Sequence, residues 1–68
     1  MLDYEDFKSR IEKTLRDAGA SGLTWTEVRT QAQLPQKFPN NQWVHKLEND
    51  IGLERTKDAH GIIHWKLK

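Results

Sequence analysis

The spacing of apolar residues changes at Gly52. Before it they recur every three or four residues, and after it every second residue. Those periods belong to helices and strands respectively, and a segment written in one cannot adopt the other without turning its apolar face to water. The chain is thus committed to a helical first part and a sheet-forming last part. The stretch that ends at the change, P-N-N-Q-W-V-H-K-L-E-N-D-I-G at 39–52, is the most informative. It predicts one amphipathic helix over 39–51. Pro39 or Asn40 starts it, because Asn caps orphan N–H groups and Pro suits the first helical turn. Gly52 stops it as a left-handed cap. At about 100° per residue, Val44, Leu47 and Ile51 share one face, with Trp43 at its edge. The opposite face carries Gln42, His45 and Asn49, flanked by Asn41 and Lys46. Solvated helix faces are normally rich in Glu and Lys, which are better helix formers than Asn. Amides at helical spacing suit hydrogen bonding to base edges.

Two further helices precede it. Tyr4, Phe7, Ile11, Leu15 and Ala18 recur at helical steps and predict a helix over residues 3–18. Asp3 caps it, with Asp6 as a weak capping-box partner, and Gly19 ends it. Its apolar stripe serves either the core or a homodimer. After a loop at 20–22, Leu23 fits a very short strand or bridge. Thr24 and Glu27 stand at capping-box spacing and open a second helix that runs to about Gln33. Trp25, Val28 and Ala32 form its inner face. Leu34 and Pro35 end it, since the residue before proline disfavours helical geometry. Residues 35–39 form the link.

Beyond Gly52, Leu53, Arg55 and Lys57 alternate with Glu54 and Thr56. Ile63, Trp65 and Leu67 alternate with Ile62, His64 and Lys66. This predicts a two-stranded hairpin over 53–67 with one apolar face. Its turn is Asp58–Ala59–His60–Gly61, with Gly61 left-handed. A chain of 68 residues holds one domain and one small core, and without cysteine that core depends on packing alone. Apolar runs are too short for a membrane span or a signal peptide, which predicts a cytoplasmic or nucleoid-associated protein. Net charge is +1, so the chain as a whole is not a generic polyanion binder. Residues 1–36 carry five Lys/Arg against six Asp/Glu, giving −1; residues 37–68 carry six against four, giving +2. All three His lie in the second part as well, which points to it as the anion-facing side.

The predicted order of helix, helix, turn, helix and hairpin, an α+β arrangement dominated by helices, resembles a winged helix-turn-helix DNA-binding domain. The likeness spans nearly the whole chain. L-T-W-T-E-V opens the second helix and L-P marks the turn. N-N-Q-W-V-H-K-L-E-N-D-I-G-L looks like a recognition helix running into the first wing strand, and G-I-I-H-W-K-L closes the wing. The chain looks like the compact modules of bacterial, archaeal and phage regulators. One departure is the turn L-P-Q-K-F-P, which is longer than the tightest helix-turn-helix.

The resemblance implies double-stranded DNA binding and transcriptional regulation. It puts Asn40, Asn41, Gln42, His45, Lys46 and Asn49 at the major groove. It puts Arg55, Lys57, His60, His64 and Lys66 on the adjacent backbone or minor groove, with Arg29 and Lys37 adding backbone contacts. The alternatives are a solvated polar face on the helix and protective edge charge on the hairpin. A different class of function, a protein-interaction module or an accessory domain of a larger nucleic-acid-processing complex, is favoured by the near-neutral charge. No Ser/His/Asp or Cys/His set and no glycine-rich phosphate loop is present, which predicts a non-enzyme without cofactor or small-molecule substrate. His60 and His64 are four apart, but in a turn and on a strand, with no third ligand converging, so no metal is expected.

Overall fold

A computed structural model describes residues 3–35 and 40–68. Asp3 accepts the Asp6 N–H and caps the first helix, α1 (Tyr4–Ala18), which ends at Gly19. A 3₁₀ turn (Gly19–Ser21) leads into a two-residue strand, β1 (Leu23–Thr24). Thr24 then caps α2 (Trp25–Gln31), with the full reciprocal Thr24–Glu27 capping box formed. The third helix, α3 (Asn41–Asp50), is capped by Asn40, whose side chain accepts the N–H groups of Gln42 and Trp43. Gly52 follows with φ +71°. The strands β2 (Leu53–Lys57) and β3 (Ile63–Leu67) complete an α+β, mainly helical fold. Pro39 as a helix start and the link through Lys37 and Phe38 lie outside the described residues.

Two expectations are corrected. Leu23, expected as a very short strand or bridge, forms β1, and β1 joins the hairpin, so the sheet has three antiparallel strands in the order β1-β3-β2 in place of the expected two-stranded hairpin. Leu23 pairs with Trp65 and Thr24 with His64, so β3 is the middle strand. Two residues carry no readable period, and the backbone around them decides the pairing. Gly22 has φ +70°, and a Cβ there would lie 2.8 Å from the Trp65 carbonyl oxygen. Only glycine lets the chain come that close to β3 in that conformation. Second, α2 ends at Gln31, not Gln33. Gln33 takes φ +56°. The Leu34 N–H reaches the Arg29 carbonyl (2.9 Å), and the Gln33 N–H reaches the Thr30 carbonyl (3.3 Å). This is a Schellman ending, with Leu34 and Val28 both buried as its apolar contact. Arg10 of α1 donates to the Gln33 carbonyl (3.1 Å) and steadies a left-handed non-glycine. That stop acts before Pro35 can.

The core gathers Phe7, Ile11 and Leu15 of α1, Val28 and Ala32 of α2, Leu34, Val44 and Leu47 of α3, and Leu53 and Trp65 of the sheet. The α1 stripe is thus spent inside its own chain. A homodimer through α1 would have to use the charged side of that helix. Trp65 is the largest buried side chain, at 1% exposure. Trp25, half-buried, lies 5.2 Å from it, ring centre to ring centre.

Trp65→Ala should cost roughly 3–5 kcal/mol, a large share of the ~5–15 kcal/mol typical of whole domains. Gly22→Ala should cost more than about 1 kcal/mol through its left-handed φ and its approach to β3. Urea unfolding followed by circular dichroism measures both. A midpoint unchanged by Trp65→Ala would contradict the central place of this ring.

Candidate nucleic-acid interface

Two elements frame the site: the outward side of α3 and the hairpin β2–β3. The orientation of α3 is fixed first by its contact with α1. Trp43 is half-buried, with its ring 5.0 Å from Phe7 and 5.7 Å from Tyr4. The Tyr4 hydroxyl donates to the Asp50 carboxylate at 2.6 Å. Burial, then this bond and the Asp50 charge, push the Tyr4 hydroxyl well above the usual phenol range. Lys46 Nζ sits 4.4 Å above the Tyr4 ring, a cation–π contact that ties it to α1.

The remaining α3 candidates are exposed: Asn40, Asn41, Gln42, His45 and Asn49. They divide by what they already hold. The Asn40 side-chain oxygen is engaged in capping. His45 Nδ1 lies 2.8 Å from Glu48. The Gln42, Asn41 and Asn49 amides make no hydrogen bond among the described residues. Gln42 and Asn49 stand two turns apart, a separation of about 10 Å at 1.5 Å per residue.

The hairpin sorts its charges by face. Arg55 pairs in register with Trp65, and Lys57 with Ile63. Because Trp65 is buried, all four belong to the helix-facing side. Arg55 is held there, its guanidinium 5.7 Å from the centre of the Trp65 ring. A groove of about 250 Å³ runs between α3 and the hairpin, lined by Glu48, Arg55, Thr56, Lys57 and Ile63. Glu54 and Lys66 pair in register on the other face and form an ion pair at 3.6 Å. His64 shares that face, and its Nε2 lies 2.7 Å from Asp58 Oδ2. The structure therefore brings Arg55 and Lys57 together with α3 and separates Lys66 and His64 from them. His60 is exposed in the turn. Arg29 is half-buried on α2. Lys37 lies outside the described residues.

Asp58 organises the turn. Its Oδ1 accepts the N–H groups of His60 (2.8 Å) and Ile62 (3.0 Å), and its carbonyl accepts the Gly61 N–H (3.0 Å). Gly61 has φ +81°, the expected left-handed position. The His64 ring bond and the two backbone bonds hold the Asp58 carboxyl below the usual carboxylate range. The bonds to His60 and Ile62 are local to the turn, whereas the bond to His64, the register partner of Thr56, comes from β3 and has no local sign in the sequence.

A larger hollow of about 400 Å³ lies between α1 and the end of α2, lined by Arg10, Lys13, Thr14, Asp17 and Gln31 to Gln33. Arg10 is occupied there by the Gln33 carbonyl. Among the described residues no group of three or more His, Cys, Asp or Glu side chains could hold a metal ion. No helix among them is long and apolar enough to cross a membrane. No protein-family model matches the chain, and neither does any curated protein or solved structure.

Asp58 supplies a pH test. A depressed folded pKa stabilises above the unfolded value of about 3.9 and loses that stability as pH falls through the lower folded value. The melting temperature of Asp58→Asn should lie below that of the native chain near neutrality. The gap should narrow as pH falls below about 4. An equal gap at neutral and strongly acidic pH would show that the Asp58 charge does not brace the turn.

Proposed function

We propose that this chain is a winged helix-turn-helix domain that binds double-stranded DNA and acts in transcriptional regulation, in the cytoplasm or on the nucleoid. The order α1–β1–α2–α3–β2–β3, with the strands arranged β1-β3-β2, supports the winged-helix reading. Two observations support the DNA reading: exposed, unpartnered amides on α3, and Arg55 and Lys57 of the hairpin lining a groove that meets α3 at Glu48.

A helix of about 10–12 Å diameter fits the major groove. Gln42 and Asn49 are the readers, because Asn and Gln can bond adenine N6 and N7 together. Arg55 and Lys57 take phosphates beside the groove. Lys66 contributes little, since Glu54 already neutralises it. Glu48 lines the same groove and opposes phosphate there. One module buries limited surface, so two copies on adjacent half-sites would raise affinity.

Selection from random duplexes, followed by anisotropy titrations of the selected and a scrambled site, tests this reading. Gln42→Ala with Asn49→Ala should abolish most of the preference, since each good base contact discriminates by about 1–3 kcal/mol. Arg55→Ala and Lys57→Ala should weaken both sites alike, and each should reduce the salt slope by about 0.9. Lys66→Ala should leave the slope nearly unchanged. Equal loss on both duplexes for the amide variants would exclude base readout. Absence of any duplex binding at low salt would refute the function and favour a protein partner.

A further inference from the structure

The outer edge of β2 is a feature that groove reading by α3 does not use. The Gly52 carbonyl accepts the Lys68 N–H (3.0 Å), and the Asp58 N–H donates to the Ile62 carbonyl (2.9 Å), so both are hydrogen-bonded pairs of the hairpin. Such pairs alternate along an antiparallel ladder. Those between them are Glu54 with Lys66 and Thr56 with His64. The N–H and C=O groups of Glu54 and Thr56 therefore point at β3, and those of Arg55 and Lys57 point away from it. β2 ends the strand order, and among the described residues the Arg55 and Lys57 backbone has no partner on that side. Arg55, Thr56 and Lys57 are exposed. The opposite edge, β1, is two residues long and runs directly into α2. β2 is thus the edge with room for another strand.

An unpaired edge is a template for another chain, and charge decides which chain. A second copy of β2 is a poor occupant. In a two-fold antiparallel pair, opposite residues share a face of the extended sheet. Each register that overlaps most of β2 then puts like charges opposite: Glu54 on Glu54, Arg55 on Arg55, or Arg55 on Lys57. Like charges directly opposite are destabilising. An acidic strand is a good occupant. Its residues opposite Arg55 and Lys57 fall on the helix-facing side, where the groove of about 250 Å³ gives them room. Two cations outnumber the one acid of that groove, Glu48. The Asp58 bonds to His60, Ile62 and His64 hold the hairpin in pairing geometry before a partner arrives, so its ordering cost is met on folding.

We propose that the outer edge of β2 binds an extended acidic segment of another protein, added as a further antiparallel strand with Asp or Glu opposite Arg55 and Lys57. Main-chain bonds to Arg55 and Lys57 supply the affinity, and the two cations supply the preference for acid. The site goes beyond the duplex-binding reading and stands independently of it.

The test titrates the isotope-labelled full chain with a short, end-blocked peptide that alternates Glu with Thr. The amide protons of Arg55 and Lys57 should gain protection from solvent exchange. Those of Glu54 and Thr56, already bonded to β3, should change little. In a hydrogen-bonded antiparallel pair the two opposite residues exchange both bonds. N-methylation of the peptide at its Glu positions should therefore abolish binding, whereas N-methylation at its Thr positions should preserve it. A peptide with Lys in place of Glu should bind roughly tenfold more weakly or worse. Lys57→Glu should bind that lysine peptide more tightly than the native chain does. If Lys57→Glu fails to fold, the native chain with the four peptides decides the matter. Binding without protection at Arg55 and Lys57 overturns the proposal, as does indifference to methylation at Glu. Equal affinity for the lysine peptide, or no binding of the glutamate peptide, overturns it too.

Discussion

The fold and the site depend on the same buried ring. Trp65 lies on the middle strand, paired with Leu23 on one side and Arg55 on the other. The sheet has strands of two, five and five residues. A hairpin that small is marginal in water unless something packs on its face. Trp65 provides that packing. It is buried beside Phe7, Ile11 and Leu15 of α1, and Trp25 at the start of α2 packs on it at 5.2 Å. The Arg55 guanidinium lies over the same ring, 5.7 Å from its centre. One side chain therefore joins α1, α2 and three strands, and positions a cation at the groove.

Charge is arranged with similar economy. Each acidic side chain of α3 and the hairpin has a partner: Glu48 with His45, Asp50 with Tyr4, Glu54 with Lys66, and Asp58 with His64. Exposed pairs of this kind contribute little to stability, on the order of 0–1 kcal/mol each. Only the Glu54–Lys66 pair joins an acid to a permanent cation; the Tyr4 hydroxyl is neutral and leaves the Asp50 charge in place. Arg55 and Lys57 stand outside these pairs and put two cations beside one acid, Glu48, along the groove.

Much of this was legible in the residues, and what was not has identifiable causes. The Thr24–Glu27 box, the Asn40 cap, and Gly52 and Gly61 at left-handed positions depend on local chemistry, and local spacing reveals them. The end of α2 does not, because a left-handed Gln33 is held by Arg10 from another helix. Leu23 is legible as a very short strand, but its pairing with Trp65 is not, because that depends on Gly22 approaching the Trp65 carbonyl. The candidate site shows the same division. Helical spacing identifies Gln42 and Asn49 as outward amides. It cannot show that Lys46 folds back over Tyr4, 42 positions earlier in the chain (46 − 4), or that Lys66 faces Glu54 across the sheet. Alternation puts Ile63 on the apolar face, but that face extends past the strand that would flank it.

The most direct test of α3 and the hairpin as a DNA-reading surface is a titration of isotope-labelled protein with random duplex at two salt concentrations, following backbone amide shifts. The surface proposed here predicts salt-sensitive shifts clustered on residues 40–49 and 55–63, with residues 5–17 of α1 unmoved. Shifts confined to α1, or no shift even at low salt, would contradict it.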